Sequence, residues 1–494
     1  MIRESVAERN CMMKARVLTL ILASITVLGM LAGCVAPDTG EQGAGKDQEL
    51  PTGDVYEQAL SKLTVDMKGD DFVALGRNDS GSSVTEILRE ETSSDPLEDA
   101  VYRRNLALSE LCKVNYIAKL VGSDAVVTTV GTDLKSGSNE YDLVLPDMRN
   151  AGAMATQQML VDYNTLAHVD LDADWWDQGT RDMSISNKVL WMNSDVNFMA
   201  HDVTFLVMFS KVMAEQQGLG NLYEMVENGD WTLDVFTSYV KKVSSDADGN
   251  GKYDENDNYG MIGTSTLGYT MFYASELQFV ACDEDGDPYL AMTNSDLLKA
   301  SDLLDTLLDL LYTGHSTYIV APGKEQIAKE MFTKNQGLFY IECASYIVGL
   351  RDMSDDFGVL PLPKYDDAQE RYATYVNAVG STMVVPQGPK DFENMSKVIE
   401  TMAVLSGKSV IPTYYELVLK RKTVRDEESA GMLDIIFSNR IYDLACYYEN
   451  MGLMHVFQSA LNEKNTSFSS RYNSAAKKAE KELIRIVRRI EDVD

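Results

Sequence analysis

Tyr141-Asp142-Leu143-Val144-Leu145, ended by Pro146 and Asp147, is a short apolar run closed by turn formers. It reads as a strand, because aromatic and β-branched side chains suit a buried pleated surface. Upstream, Ala125-Val126-Val127-Thr128-Thr129-Val130 has the same character and reads as another strand. Around these runs, residues 100–111, 202–217, 296–311 and 391–406 repeat apolar side chains at helical spacing. Strands alternating with helices of this length predict an α/β protein with largely parallel sheets, since parallel neighbours need a crossover of about a dozen residues. Thr232 is placed as an N-cap, with Leu233, Phe236, Val240 and Val243 recurring behind it. Near the C-terminus Ala476, Ala479, Leu483, Ile486 and Ile490 form a stripe, with Lys477, Lys478, Lys481, Arg485, Arg488 and Arg489 elsewhere on the same helix. A solvated basic face over a packed stripe is expected there. No internal repeat is evident.

Towards the N-terminus, the apolar run 17–30 follows Lys14 and Arg16. It has the length of a signal-peptide core and is short for a membrane span, so the chain is expected to leave the cytoplasm. The run ends in Leu31-Ala32-Gly33-Cys34. This resembles the lipobox of bacterial lipoproteins, in which the cysteine is acylated and becomes the first residue of the mature chain; the alternative is a plain secretory leader in which Cys34 is incidental. Residues 1–33 are read as the signal peptide, with translation starting at Met12 or Met13. Residues 34–54, rich in Gly, Pro, Asp, Glu and Gln, form a flexible tether of about 25 Å. The expected location is extracytoplasmic, lipid-anchored to the bacterial cell membrane without crossing it.

The chain has 494 residues, 45% of them apolar, enough for two or three domain-sized units. Its net charge is −32, and about −34 once the leader, with four basic and two acidic residues, is removed. Such an excess repels phosphate backbones and anionic lipid and argues against nucleic acid as a partner. Cys112, Cys282, Cys343 and Cys446 match no zinc or redox spacing, and buried thiols or one or two disulfides remain open. Nothing resembles a nucleophile elbow, a zincin helix or a phosphate loop.

The most specific motif follows the helix opened by Thr232. Asp246-Ala247-Asp248-Gly249-Asn250-Gly251-Lys252-Tyr253-Asp254-Glu255-Asn256-Asp257 places side-chain oxygens at loop positions 1, 3, 5, 9 and 12 and glycine at position 6. A Ca²⁺ ion needs six to eight oxygens on a curved backbone, and glycine permits the bend that presents the Lys252 carbonyl. The candidate ligands are Asp246, Asp248, Asn250, Lys252, Asp254 and either Glu255 or Asp257, since Asp257 is shorter than the usual glutamate. The following Asn258-Tyr259-Gly260-Met261-Ile262-Gly263 is not helical, so the ion is expected to be structural rather than a switch.

Three separated landmarks, Tyr141-Asp142-Leu143-Val144-Leu145, Trp231-Thr232-Leu233-Asp234-Val235-Phe236 and Phe357-Gly358-Val359-Leu360-Pro361-Leu362-Pro363-Lys364-Tyr365, together resemble the extracellular solute-binding proteins of ABC importers, in the maltose-binding-protein-like carbohydrate group. The resemblance runs from about residue 100 to about 406. It implies a two-lobed periplasmic-binding-protein-like (type II) fold with an interlobe cleft and a hinge. The N-lobe would comprise 55–192 and 360–408, and the C-lobe 193–359 and 409–494. The chain would cross near 187–197, return near 357–363 and cross again near 407–412. The alginate- and galactose-binding members of that family also carry EF-hand-like loops.

The function implied is a monomeric, lipid-anchored receptor that captures a small saccharide and delivers it to ABC permease subunits, with no catalysis of its own. By resemblance, Asp147 and Arg149 after the strand ending at Leu145, and Glu342 and Tyr346 after the apolar run 338–341, occupy cleft positions. Trp191 at the first crossing would stack on a sugar ring, and of Trp175 and Trp176 one packs inside while Trp176 lies near the cleft mouth. Which solute is bound stays open. The alternative function is a calcium-stabilised, surface-tethered glycoside hydrolase, because 76 acidic residues include many candidate carboxylate pairs. A tethered adhesion or scaffold protein is a third reading.

Overall fold

The computed structural model describes residues 55–283, 285–350, 353–420 and 427–491. The leader, Cys34 and the tether lie outside them. Among the described residues no helix is long and apolar enough to cross a membrane.

The first sheet is parallel throughout. Its strands are β1 (Asp71–Arg77), β2 (Asn115–Val121) and β3 (Leu143–Val144), in the order β2-β1-β3. Helices α1 (Pro96–Cys112), α2 (Val126–Ser136) and α3 (Met148–Thr156) make the crossovers and flank. The strand read at Tyr141–Leu145 is β3. The one read at 125–130 is instead the start of α2: Val126 and Val130 fall one turn apart on its buried face, so burial along a helix outweighs the β preference of the valines. Two strands of this sheet, β1 and β2, are not among those read from the sequence; in β2, just upstream, polar residues interrupt the apolar pattern.

The second sheet is mixed, which departs from the largely parallel expectation. It contains β4 (Phe205–Ser210), β5 (Ser244–Ser245), β6 (Asn258–Gly263), β7 (Thr317–Ile319), β8 (Gly337–Cys343) and β9 (Phe357–Leu360), ordered β9-β4-β8-β6-β5 with β7 also on β6. β4 enters antiparallel to both neighbours. It replaces the first part of the helix expected over 202–217, because Phe205 to Ser210 are buried on both faces, as a central strand requires and an amphipathic helix does not. Helices α4 (Leu233–Lys242), α5 (Leu267–Ala274) and α6 (Asn294–Tyr312) pack around this sheet. The Thr232 hydroxyl caps α4 by accepting from the Val235 amide.

Three segments join the two regions. Residues 192–204 and 376–384 run antiparallel, bridged at Met192–Met383 and Thr204–Val376, and Val384 pairs with Val144 of β3. The return therefore lies after residue 375, not near 357–363: Phe357–Leu360 is β9, hydrogen-bonded to β4 inside the second sheet. The third connection is a π-turn, Ser406–Val410, between α7 (Phe392–Leu405) and α8 (Ile411–Lys420). Residues beyond 440 are not confined to the second region either. The helical turn Leu444–Tyr447 packs on α3, where a Cβ on Gly152 would lie 2.3 Å from the Tyr447 carbonyl oxygen. The end of α9 (Phe468–Glu491) reaches the same flank, with the Gln158 side chain donating to the Arg489 carbonyl. The four cysteines of the body are free thiols.

Buried carboxyls hold the connections. Glu86 is fully buried; it accepts from the Met199 amide at 2.8 Å and from the Ser381 hydroxyl at 2.7 Å, one partner on each antiparallel connection. Glu400 on α7 accepts from the indole N–H groups of Trp175 and Trp176, and Asp443 accepts from the Phe279 and Val280 amides. Burial pushes Glu86 and Glu400 up to about 7 and Asp443 up to about 6. A carboxyl raised in the folded state stabilises fully below its unfolded pKa and loses that contribution as pH climbs through its folded value. For Glu86 the change from 4.5 to about 7 corresponds to something on the order of 3 kcal/mol. The melting temperature is therefore expected to fall between about pH 5 and about pH 8. A pH series should show that decline, shallower in Glu86→Gln; a flat or rising profile would contradict it.

Candidate functional site

In a parallel sheet the carboxyl ends of the strands form the natural ligand edge. β1 ends at Arg77 and is followed by Asn78 and Asp79; β2 is followed by Gly122 and Ser123; β3 is followed by Pro146 and Asp147. The Arg77 side chain is 1% exposed, and its two terminal nitrogens find partners, Nη1 donating to Asp79 Oδ2 at 2.8 Å and Nη2 to the Val379 carbonyl at 2.9 Å, while the buried Nε has none. Asp147 lies 3.8 Å from the same Nη1. Arg77 thus ties the edge of the first sheet to the second connection.

Asp147 is the N-cap of α3. One oxygen accepts from the Asn150 amide at 2.9 Å and the other from the Ser123 hydroxyl at 2.7 Å. It is buried, so it shapes the edge rather than facing solvent. Arg149 is different. Its side chain is 43% exposed, 3.5 Å from Asp147 and 3.7 Å from Glu449. Glu449 stands 3.9 Å from Nε2 of His455, whose Nδ1 shares a 2.7 Å hydrogen bond with the Tyr269 hydroxyl. Burial first, then the Glu449 charge, pushes Tyr269 up to about 12. The Tyr269 ring stacks on Tyr375, which stacks on Phe205 of β4. A polar strip thus runs from Arg149 at the first sheet's edge to Tyr269 on α5, backed by aromatic rings.

The remaining predicted residues sit elsewhere. Trp176, expected near the cleft mouth, is 2% exposed, and its N–H donates to Glu400 at 3.0 Å while its ring packs edge-on to Tyr163. Trp191 is also 2% exposed, stacked on Tyr447 with ring centroids 4.5 Å apart. Neither ring has a free face, because each fills a core that the neighbouring helices close. Glu342 is the penultimate residue of β8 and is buried; its carboxylate accepts from the Cys343 amide at 2.9 Å and bonds Thr264, and burial raises its pKa. Tyr346 packs edge-on to Tyr340. Among the described residues no hydrogen bond or ion pair joins Glu342 or Tyr346 to Asp147 or Arg149. Arg77 and Asp79 follow the apolar run of β1 just as Asp147 follows β3, so the same rule applied one strand earlier would have found them. Tyr269, Glu449 and His455 carry no local signal.

No family model matches the chain, and no curated protein matches its sequence. Solved structures do. An ABC transporter solute-binding protein from Thermotoga lettingae, bound with α-D-tagatose, covers 84% of this chain and 100% of its own at TM-score 0.53 and 16% identity. The cyclic α-maltosyl-1,6-maltose binding protein of Arthrobacter globiformis covers 84% and 98% at 0.53 and 14%. A sugar transporter of Rhizobium etli in an open conformation covers 83% and 99% at 0.55 and 12%. The chain has the two-lobed α/β fold of ABC-importer solute-binding proteins. At such low identity the likeness concerns the fold.

In that fold the loop 246–257 joins β5 to β6 as the tip of a hairpin at the second sheet's edge. Asp246, Asp248 and Asp257 each bring a carboxylate oxygen to within 4.8 Å of the others. Asp254 and Glu255 stand outside that group. Gly251 adopts φ +77°, the left-handed bend, and its amide donates to Asp246 at 2.7 Å. Asn250 accepts from the Lys252 amide. Asp257 is fully buried and accepts from the amides of Ala247 and Asp254, which fixes both ends of the loop. Three converging carboxylates on a glycine-bent backbone fit a hard dication.

Because Trp191 is packing and not platform, Trp191→Ala is expected to cost about 3–5 kcal/mol of stability. Chemical denaturation with and without an oligosaccharide should show the same loss in both; a loss seen only with the sugar present would return Trp191 to the ligand site.

Proposed function

We propose that this chain is a lipid-anchored extracytoplasmic receptor that captures a small saccharide between its lobes and passes it to an ABC permease. The observation that carries the reading is the strip Arg149–Glu449–His455–Tyr269. It places exposed donors and acceptors from the first sheet's ligand edge opposite groups from the second half of the chain. A solute that touches both sides binds the closed form more tightly than the open one, which is what closure requires. The charges of the strip are largely paired with one another, which favours a neutral, hydroxyl-rich ligand over an ion, and Tyr269 offers a ring for its C–H face. The solved structures support the fold on which this rests. Anchoring through Cys34 rests on the leader sequence alone.

An oligosaccharide panel tests it. One member is expected to raise the melting temperature by a few degrees and be recovered intact, since ligand at about 100 times its Kd adds about 2.7 kcal/mol. Arg149→Ala should weaken that ligand at least about tenfold with little change in the unliganded melting temperature, Arg149 being exposed. A released product, or no shift with any sugar, would overturn the reading.

The reading includes a structural Ca²⁺ held by Asp246, Asp248 and Asp257, with Asn250 and the Lys252 carbonyl as further oxygens. The ion supplies positive charge that three facing carboxylates lack. Chelation is expected to lower the melting temperature by several degrees, and Asp246→Asn to abolish that dependence. An unchanged melting temperature after chelation would rule the ion out.

A further inference from the structure

The last helix, α9, sorts its charges to one side. Successive residues turn by about 100°, so Lys477, Lys478, Lys481, Arg485, Arg488 and Arg489 fall within an arc of about 120°, over about 18 Å of axis. All six are exposed. Ala479, Leu483, Ile486 and Ile490 are buried on the far side and fix the helix to the body, so the arc points outward. Glu480, Glu482 and Glu491 lie beyond the arc's edges. Among the described residues only Arg485 of the six has a carboxylate partner, Glu482 at 2.5 Å.

That pattern is unexpected in a chain carrying 76 acidic residues against 44 basic ones. Several cations elsewhere on the surface are paired, as in Lys241–Asp309, Lys397–Glu393 and Arg371–Glu276. At the arc's edge Ile484 is 48% exposed. Against a nucleic-acid backbone an exposed isoleucine has no partner, whereas at a bilayer it enters the headgroup boundary while the cations meet phosphates.

We propose that this face of α9 docks on an anionic phospholipid surface. The body's negative charge does not forbid it, because groups more than about 8 Å from the contact are screened at physiological ionic strength. A lipid anchor at Cys34 would keep the body near the bilayer, and a basic face would set how it sits there. The inference is independent of the saccharide reading and would survive its failure.

The test is flotation of the full chain carrying Cys34→Ala, which removes the candidate acylation site. Vesicles of phosphatidylglycerol mixed with phosphatidylcholine are compared with phosphatidylcholine alone. Binding is expected to be at least about tenfold tighter on the anionic vesicles and to weaken as salt rises. The triple reversal K477E/K481E/R488E should lose that preference, and the charge-keeping triple K477R/K481R/R488K should retain it with the same melting temperature. Equal binding to both vesicle types, or an anionic preference that survives the reversal, would overturn the proposal.

Discussion

The two antiparallel connections depend on a pair of buried ionisable groups contributed by the first sheet's side. Glu86 accepts one hydrogen bond from each connection, and Arg77 donates to the carbonyl of Val379 on the second. Both side chains are almost wholly out of water, so each must be satisfied where it stands or cost several kcal/mol. The Glu86 carboxyl and the Arg77 Nη2 find their partners only when residues 192–204 and 376–384 lie side by side. The connection geometry is therefore fixed by polar satisfaction, while the apolar cores on either side fix the sheets.

From this follows the position of the polar strip. Arg77 anchors the second connection at the ligand edge of the first sheet, and Tyr375, just before that connection, carries the stack that supports Tyr269. The groups facing Arg149 come from residues 269, 449 and 455, distant in sequence but gathered by α5 and the C-terminal helices. An aromatic backing with a charged, mutually paired rim suits a ligand that brings many hydroxyls and no net charge.

Much of the fold was legible in the sequence, and the failures have physical causes. β3, the Thr232 cap, α6 and the hairpin loop were marked by composition and spacing that local chemistry fixes. Ala125–Val130 was misread because β-branched residues prefer strands only when nothing better buries them. Residues 202–217 were misread because a continuous apolar run looks alike as a helix core and as a central strand. The return after residue 375 was placed too early because Phe357–Pro363 carries a strong landmark that belongs to β9. The position of Asp147 and Arg149 just after a strand was legible. Trp176 and Trp191 were not, because sequence shows the ring but not whether its faces are already taken.

All four tryptophans, 175, 176, 191 and 231, are buried and packed against aromatic neighbours. The emission of the folded molecule should accordingly be blue, and solvent quenchers such as iodide should hardly touch it. A solute arriving beside Tyr269 would leave that spectrum almost unmoved, whereas unfolding would send all four indoles to the red together. Intrinsic fluorescence is thus an optical gauge of integrity for this molecule and a poor one of occupancy.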